Sequence, residues 1–316
     1  MADVTIIGTG FAARACGDVL SRAGFDVSHA FELQTGERSA VILGDIQGGY
    51  EIARHAVATG RHLMIVTPEV LTPERLGTLF DDRKRAQAIF VWSESRYHPG
   101  YRFVAGLIET DSAWNPRYLR LDNLRTDAPS SGSIRWQTLE TLALAGSLSG
   151  EGPISVHAGA ARNARRSCPD LLEIEVAYDG VKAFLRIGLG EVIERRETLV
   201  AARARKVFVD ELNPTTPIRM VEDEPTSTSG ARWLSCPAPS SDEIARQQCV
   251  AFLDATLEVR KAQAEATLWL RSLATLDAVE RSLQGDGSAI EVDQTATESR
   301  FRLLPGRLRA SPPSVA

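Results

Sequence analysis

Residues 4–13 read VTIIGTGFAA and decide the predicted fold of the N-terminal part of the chain. The first four residues are an apolar run typical of a buried strand, and the spacing from Phe11 onward is that of a helix. Between them, Gly8, Gly10 and Ala13 form a G-x-G-x-x-A pattern. Glycine is needed where the chain turns tightly and where the backbone approaches a pyrophosphate, whose charge then faces the helix N-terminus. The stretch therefore predicts a Rossmann-type fold in which Gly8, Gly10, Phe11 and Ala13 bind a dinucleotide. A glycine turn in an α/β protein that binds no dinucleotide is the alternative.

The segment after the second predicted strand is too short for a complete Rossmann half. The strand candidates 25–31 and 40–43 are separated only by Glu32 to Ser39, and a crossover that contains a helix needs about ten to twelve residues. The sequence therefore predicts a shortened sheet, without the strand and helix that normally flank the adenine. Glu32 lies where an acid would bind the ribose hydroxyls, and a solvated loop glutamate explains this residue equally well.

The pattern of the chain changes after about residue 110. Before that point strand and helix patterns alternate, which favours a parallel sheet with helices on both faces. Later, apolar and polar residues alternate on both sides of Asp179-Gly180, the strongest short hairpin signal. An antiparallel sheet with one solvated face follows from this alternation.

These patterns predict an α/β protein of two domains and a tail. We expect a shortened Rossmann-type domain at 1–112 and an α+β domain with a largely antiparallel sheet at 113–298. The segment 299–316 holds three prolines and no clear period, so we expect it to be disordered.

Composition and charge exclude several functional classes. The 316 residues carry a net charge of −5, which argues against nucleic acid or an anionic membrane as the main partner. No stretch approaches the roughly 20 apolar residues of a membrane span, and the N-terminus lacks the basic region of a signal peptide. Neither the four cysteines nor the five histidines have metal-ligand spacing. We therefore expect a cytoplasmic protein with reduced thiols and no metal.

Four segments of the chain share features with one protein family. They are GTGFAARA at 8–15, YEIARHAVATGRHLMIVTP at 50–68, SESRYHPGYRF at 93–103 and SSGSIRWQTLETLALAGSLSG at 130–150. Together they resemble the glucose–fructose oxidoreductase/inositol dehydrogenase/MocA (Gfo/Idh/MocA) family. That family has a similar opening loop, followed by Glu-Lys-Pro, Asn-Arg-Arg-Phe-x-Pro and Gly-Gly-Gly…Asp…His…Asp segments. The resemblance covers roughly residues 1–295 and rests on pattern and spacing more than on identity.

Carried over position by position, the resemblance implies that the main catalytic residues of the family are lost. Its Glu-Lys-Pro motif falls on Val66, Thr67 and Pro68, so only the proline, which we place at the cofactor, is kept. Threonine cannot supply the charge of the lysine that binds substrate. The histidine that usually serves as acid or base falls on Glu140. Glu140 could replace it if its pocket raised its pKa, whereas a glutamate that faces solvent or pairs with Arg135 is the alternative.

The remaining motif positions are mostly changed as well. The changed positions are the glycine pair at Ser130 and Ser131, the two acids at Trp136 and Ala143, the asparagine at Glu94, the Thr-Pro pair at Gly44 and Asp45, and a further histidine at Gly49. Arg96, Tyr97 and Pro99 match the family.

The resemblance implies a divergent oxidoreductase that binds NAD or NADP and lacks the catalytic lysine and histidine of the family. If it is active, Glu140 and Tyr97 are the candidate catalytic residues, and a small molecule is the expected substrate. The alternative is a non-catalytic relative that acts as a scaffold or partner subunit. In either case we expect a homo- or hetero-oligomer formed through the C-terminal sheet.

Overall fold

The computed structural model describes most of the chain in eight stretches. They are residues 3–30, 40–66, 71–127, 131–161, 169–215, 217–222, 232–234 and 241–293. The predicted cofactor residues Glu32 and Pro68, together with Thr67, Ser130 and the predicted disordered tail, lie outside these stretches.

The N-terminal part forms a sheet of five parallel strands. They are β1 (Asp3–Ile7), β2 (Asp26–Ala30), β3 (Ala40–Leu43), β4 (Leu63–Ile65) and β5 (Ile89–Val91). The strand order is β2-β1-β3-β4-β5, which confirms the predicted parallel sheet. In the described part of the chain β2 is the edge strand, and only nine residues separate Ala30 from Ala40. The sheet is thus the shortened form that the sequence predicts.

Five helices follow the strands of this sheet. They are α1 (Phe11–Arg22), α2 (Gly49–Ala58), α3 (Pro73–Asp82), α4 (Glu94–Tyr97) and α5 (Pro99–Thr110). A 3₁₀ turn at Ser112–Trp114 leads into the second half of the chain.

The residues at the start of α3 show why a helix begins there. Thr72 accepts the amide of Arg75 at 3.4 Å, and Pro73 occupies the first turn, where its missing N–H costs nothing.

The second half of the chain forms a nine-stranded mixed sheet and three helices. The strands are β6 (Tyr118–Arg125), β7 (Pro153–Ala161), β8 (Leu171–Tyr178), β9 (Val181–Leu189), β10 (Arg195–Ala201), β11 (Arg205–Asp210), β12 (Ile218–Glu222), β13 (Arg232–Leu234) and β14 (Ile290–Glu291). The helices are α6 (Ser131–Ser149), α7 (Ser241–Leu257) and α8 (Val259–Gln284). The order is β13-β12-β11-β10-β6-β9-β8-β7-β14. All neighbouring pairs are antiparallel except β6 and β9.

The predicted hairpin joins β8 to β9. Tyr178 pairs with Val181, so Asp179 and Gly180 form a two-residue turn, and Gly180 has a φ of +71°, a conformation that favours glycine. Alternate residues of β8 are buried, which confirms the antiparallel sheet with one apolar face.

The helix α7 belongs by sequence to the second half but packs on the first sheet. Phe252 and Cys249 of α7 share a core with Val4, Ile6 and other residues of β1 and α1. The opposite face of the first sheet shares a continuous core with α6, α8 and the second sheet. The predicted boundary at residue 112 therefore separates the two sheets, whereas the helical layers join them. Among the described residues, no helix is both long and apolar enough to cross a bilayer.

Candidate functional site

The glycine loop after β1 has backbone angles that only glycine adopts easily. Gly8 has a φ of +96° and Gly10 a φ of +111°. With a ψ of 164°, Gly10 is the residue before the first turn of α1, and this region of φ and ψ is essentially restricted to glycine. The loop therefore delivers the N-terminus of α1 to the carboxyl end of the parallel sheet, as the sequence predicts.

A second glycine segment, after β3, holds this loop in place. The Thr9 amide donates to the Asp45 carbonyl at 2.9 Å, and the Asp45 amide donates to the Thr9 carbonyl at 2.8 Å. A Cβ on Gly44 would lie 2.5 Å from the Thr9 carbonyl oxygen, so only glycine permits this approach. Gly44 and Asp45 stand where the resembled family has Thr-Pro. The steric reason for glycine at this position is the close contact between the two loops, which cannot be seen in the sequence.

These two loops meet at the point where the strand order of the sheet reverses. The chain moves from β1 to β2 on one side and from β3 to β5 on the other, and ligands of open α/β sheets bind in the crevice at such a switch point. The first amides of α1, from Phe11 onward, have no intrahelical acceptor. Phe11 is 60% exposed, and α1 carries no acid in its first turn. The loop thus fits a pyrophosphate, whereas in the described part of the chain no strand lies beyond β2 to form a wall for an adenosine.

Ser93, directly after β5, joins two helices at the same end of the sheet. Its amide donates to the Gln248 side-chain oxygen on α7 at 2.9 Å, and its hydroxyl donates to the Glu140 carboxylate on α6 at 3.1 Å. Ser93 and Gln248 are fully buried. Gln248 was not a candidate in the sequence, because 155 residues separate it from Ser93.

Glu140 is a partly buried residue whose carboxyl group has a raised pKa. Burial is the main cause, and together with the charges of Glu211 and Glu94 it raises the pKa to about 7 against the opposing effects of Arg125 and the Ser93 hydrogen bond. Glu140 does not pair with Arg135, whose guanidinium is held by two other acids, Glu74 and Glu280.

Tyr97 lies in the wall of a different cavity. Its ring packs 5.7 Å from that of Phe90, and burial raises the pKa of its hydroxyl. The cavity that it lines has a volume of about 670 Å³ and does not include Glu140. The structure therefore does not bring the two predicted catalytic residues to one cavity.

Arg96, which also matches the resembled family, forms a buried ion pair. Its guanidinium donates two hydrogen bonds of 2.8 Å to Glu265 on α8, and the two side chains are 11% and 10% exposed. Glu265 also accepts the Trp269 indole N–H at 2.8 Å. The pair fastens α4 to α8 and thus fixes the segment that follows Ser93.

In the described ranges no cluster of three metal-ligating groups exists.

Comparison with solved structures agrees with this arrangement. A levoglucosan dehydrogenase in complex with NADH matches 92% of this chain and 99% of its own, with a TM-score of 0.72 and 14% identity. UDP-N-acetylglucosamine 3-dehydrogenase GnnA from Acidithiobacillus ferrooxidans matches 90% and 99%, with a TM-score of 0.67 and 19% identity. GenD2 from gentamicin A biosynthesis, in complex with NAD, matches 92% and 96%, with a TM-score of 0.68 and 17% identity. No protein-family model and no curated protein matches the sequence.

These matches define the class of fold. The chain has an α/β fold like that of these dehydrogenases, with a parallel N-terminal sheet and a mostly antiparallel second sheet. The likeness extends over almost the whole length of each of these proteins. At identities of 11–19% it concerns the fold alone.

Proposed function

We propose that this protein is a divergent Gfo/Idh/MocA-type oxidoreductase that binds NAD or NADP. The observation that carries the proposal is the glycine loop at the switch point of the sheet, where Gly10 places the N-terminus of α1 toward the crevice. The similar dehydrogenases that were solved with NADH or NAD support the same cofactor. A bound nicotinamide supplies hydride transfer.

In this proposal Glu140 replaces the histidine of the resembled family. A group whose pKa is about 7 is suited to take or return a proton at neutral pH. The Ser93 hydroxyl holds one carboxylate oxygen at 3.1 Å and so orients the other. With Thr67 in place of the lysine, this site has less positive charge for a sugar hydroxyl. We therefore expect polyols and sugars to be poor substrates.

We predict that NADH or NADPH binds weakly and that Phe11→Asp weakens this binding. Asp in the first turn of α1 suits the helix dipole, so the fold is kept. The new charge repels a pyrophosphate, and we expect affinity to fall at least about tenfold. Cofactor fluorescence during titration of the purified protein measures both affinities. Phe11 is a better test position than Gly10, where any side chain would distort the loop itself.

Phe11→Asn is the matched control, because it removes the same ring without adding charge. It should bind the cofactor within about threefold of the parent if charge is what matters. No binding of either cofactor by the parent at millimolar concentration would contradict the proposal. Bound cofactor without turnover on polyols, sugars or imines would favour the alternative, a scaffold or partner subunit.

We also propose that the outer face of the second sheet forms an oligomer interface. This face combines the ring pair Tyr118 and Phe184, 5.5 Å apart, with ion pairs such as Lys182–Glu175 at 2.9 Å. Light scattering should therefore show a dimer or larger species. Phe184→Glu, on the same face, should shift the population toward monomer. A monomeric parent at high concentration with no co-purified partner would refute the interface.

A further inference from the structure

Glu140 shares a small polar cavity with two further acids, Glu211 and Asp122. Tyr101, Asn123 and Thr198 are also in its wall. The volume open to the centre of a water molecule is about 10 Å³, which is close to the room that one water needs. The cavity is therefore too small for a substrate, which would have to reach the partly exposed Glu140 from outside it, whereas a single water fits inside.

Glu211 enters this cavity from the turn after β11. Its carboxylate lies 3.6 Å from the Arg196 guanidinium, and its side chain is 9% exposed. Burial raises its pKa, while Arg196 and the nearby hydroxyls of Tyr101 and Ser95 oppose the rise. The Tyr101 hydroxyl is in turn 2.8 Å from that of Thr198. These contacts hold Glu211 in an environment like that of Glu140.

The charges around Glu140 come from three elements. Glu94 and Arg96 face it from α4, Arg125 from β6, and Glu211 from the turn after β11. Glu211 faces Arg196 of β10 and the same Arg125. The positive charge of Arg125 thus acts on both Glu140 and Glu211. Because both carboxyl groups are largely removed from bulk water, their negative charges repel each other strongly. Such a pair is most stable when the two carboxyl groups share one proton.

We propose that Glu211 is the proton-relay partner of Glu140 and that the two carboxyl groups hold one proton between them across a single water. The proposal rests on the proposed function, in which a substrate O–H bond breaks toward Glu140 while the C–H electron pair leaves as hydride to the dinucleotide. The pair then holds two protons, so the Glu211 O–H bond breaks first and its proton goes to solvent. The Glu140 O–H bond next breaks toward the water, which gives one of its own protons to the Glu211 carboxylate. This restores the resting pair, with Glu140 ionised and one proton on Glu211.

The test is the titration of Glu140 in protein labelled with ¹³C at the glutamate carboxyl carbon. Glu140→Gln assigns the resonance, and no cofactor is added. In Glu211→Gln the midpoint of Glu140 should fall by about one pH unit, since a like charge has been removed. Glu94→Gln is the control: it makes the same chemical change at an exposed position, where solvent and salt screen the charge, and its shift should be much smaller.

A Glu140 midpoint in Glu211→Gln that equals the parent or the Glu94→Gln value would overturn the relay. If Glu211→Gln does not fold, Tyr101→Phe replaces it. Loss of that hydroxyl favours protonated Glu211, so the midpoint of Glu140 should again fall, and an unchanged midpoint refutes the pair. Since the titration needs no dinucleotide, failure to bind NADH would count against the proposed function and leave this result standing. Where turnover is measurable, the acid limb of kcat/KM should move with the midpoint.

Discussion

Replacing Arg96 by methionine is expected to lower the free energy of unfolding by about 3–5 kcal/mol, because it leaves the Glu265 carboxylate buried without its cation. The two hydrogen bonds of 2.8 Å are lost together, and the Trp269 indole N–H remains as a donor to Glu265. Urea unfolding followed by circular dichroism measures the change. The segment from Ser93 to Tyr97 should also lose its fixed position, since α4 is tied to α8 through this pair.

Two variants control this experiment. Arg96→Met combined with Glu265→Gln removes both charges and keeps an acceptor for Trp269, so most of the lost stability should return. Arg54→Met breaks an ion pair of the same 2.8 Å length, whose side chains are 58% and 65% exposed, and should cost less than about 1 kcal/mol. If Arg96→Met costs no more than Arg54→Met, the buried pair is not the anchor that its geometry indicates.

The local parts of the fold could be predicted because their signals lie within a few residues. The run from Val4 to Phe11 contains the strand, the glycines and the helix start, and Asp179-Gly180 specifies its turn by backbone conformation alone. The shortened sheet followed from counting residues between two strands. In each case the physical cause, a steric or length limit, acts between neighbours in sequence.

The long-range parts of the site could not be predicted in this way. Gln248 reaches Ser93 because α7 packs on the first sheet beside α1, and Glu211 reaches the cavity of Glu140 because β11 lies two strands from β6. Neither contact leaves a pattern in the sequence, since each depends on packing between distant elements. Glu140 itself came from the resemblance, and the structure excludes only its pairing with Arg135, which two other acids hold.

The raised pKa of Glu140 produces a second large effect, which concerns the pH dependence of stability. The ordinary pKa of a glutamate, 4.5, rises to about 7 for Glu140 in the folded protein. Between these values the folded state holds a proton that the unfolded state has lost. The free energy of unfolding must therefore fall as pH rises from about 4.5 to about 7, by at most about 3 kcal/mol from this group. Ionisation of Glu140 at the upper end of this pH range therefore makes the folded protein less stable.

Glu140→Gln should remove this dependence, because glutamine keeps the shape and does not ionise. We expect the variant to match the parent near pH 4.5 and to exceed its unfolding free energy by about 1–3 kcal/mol at pH 8. Urea unfolding at a series of pH values measures the difference. Glu151→Gln, at an exposed position just after α6, is the control and should follow the parent within about 0.5 kcal/mol. A Glu140→Gln profile parallel to that of the parent would mean that Glu140 does not titrate in this window, and a carboxyl that does not titrate near neutral pH could not serve as the proton acceptor. A retained but destabilising ionisable group is what selection for chemistry, rather than for stability, would leave at this position.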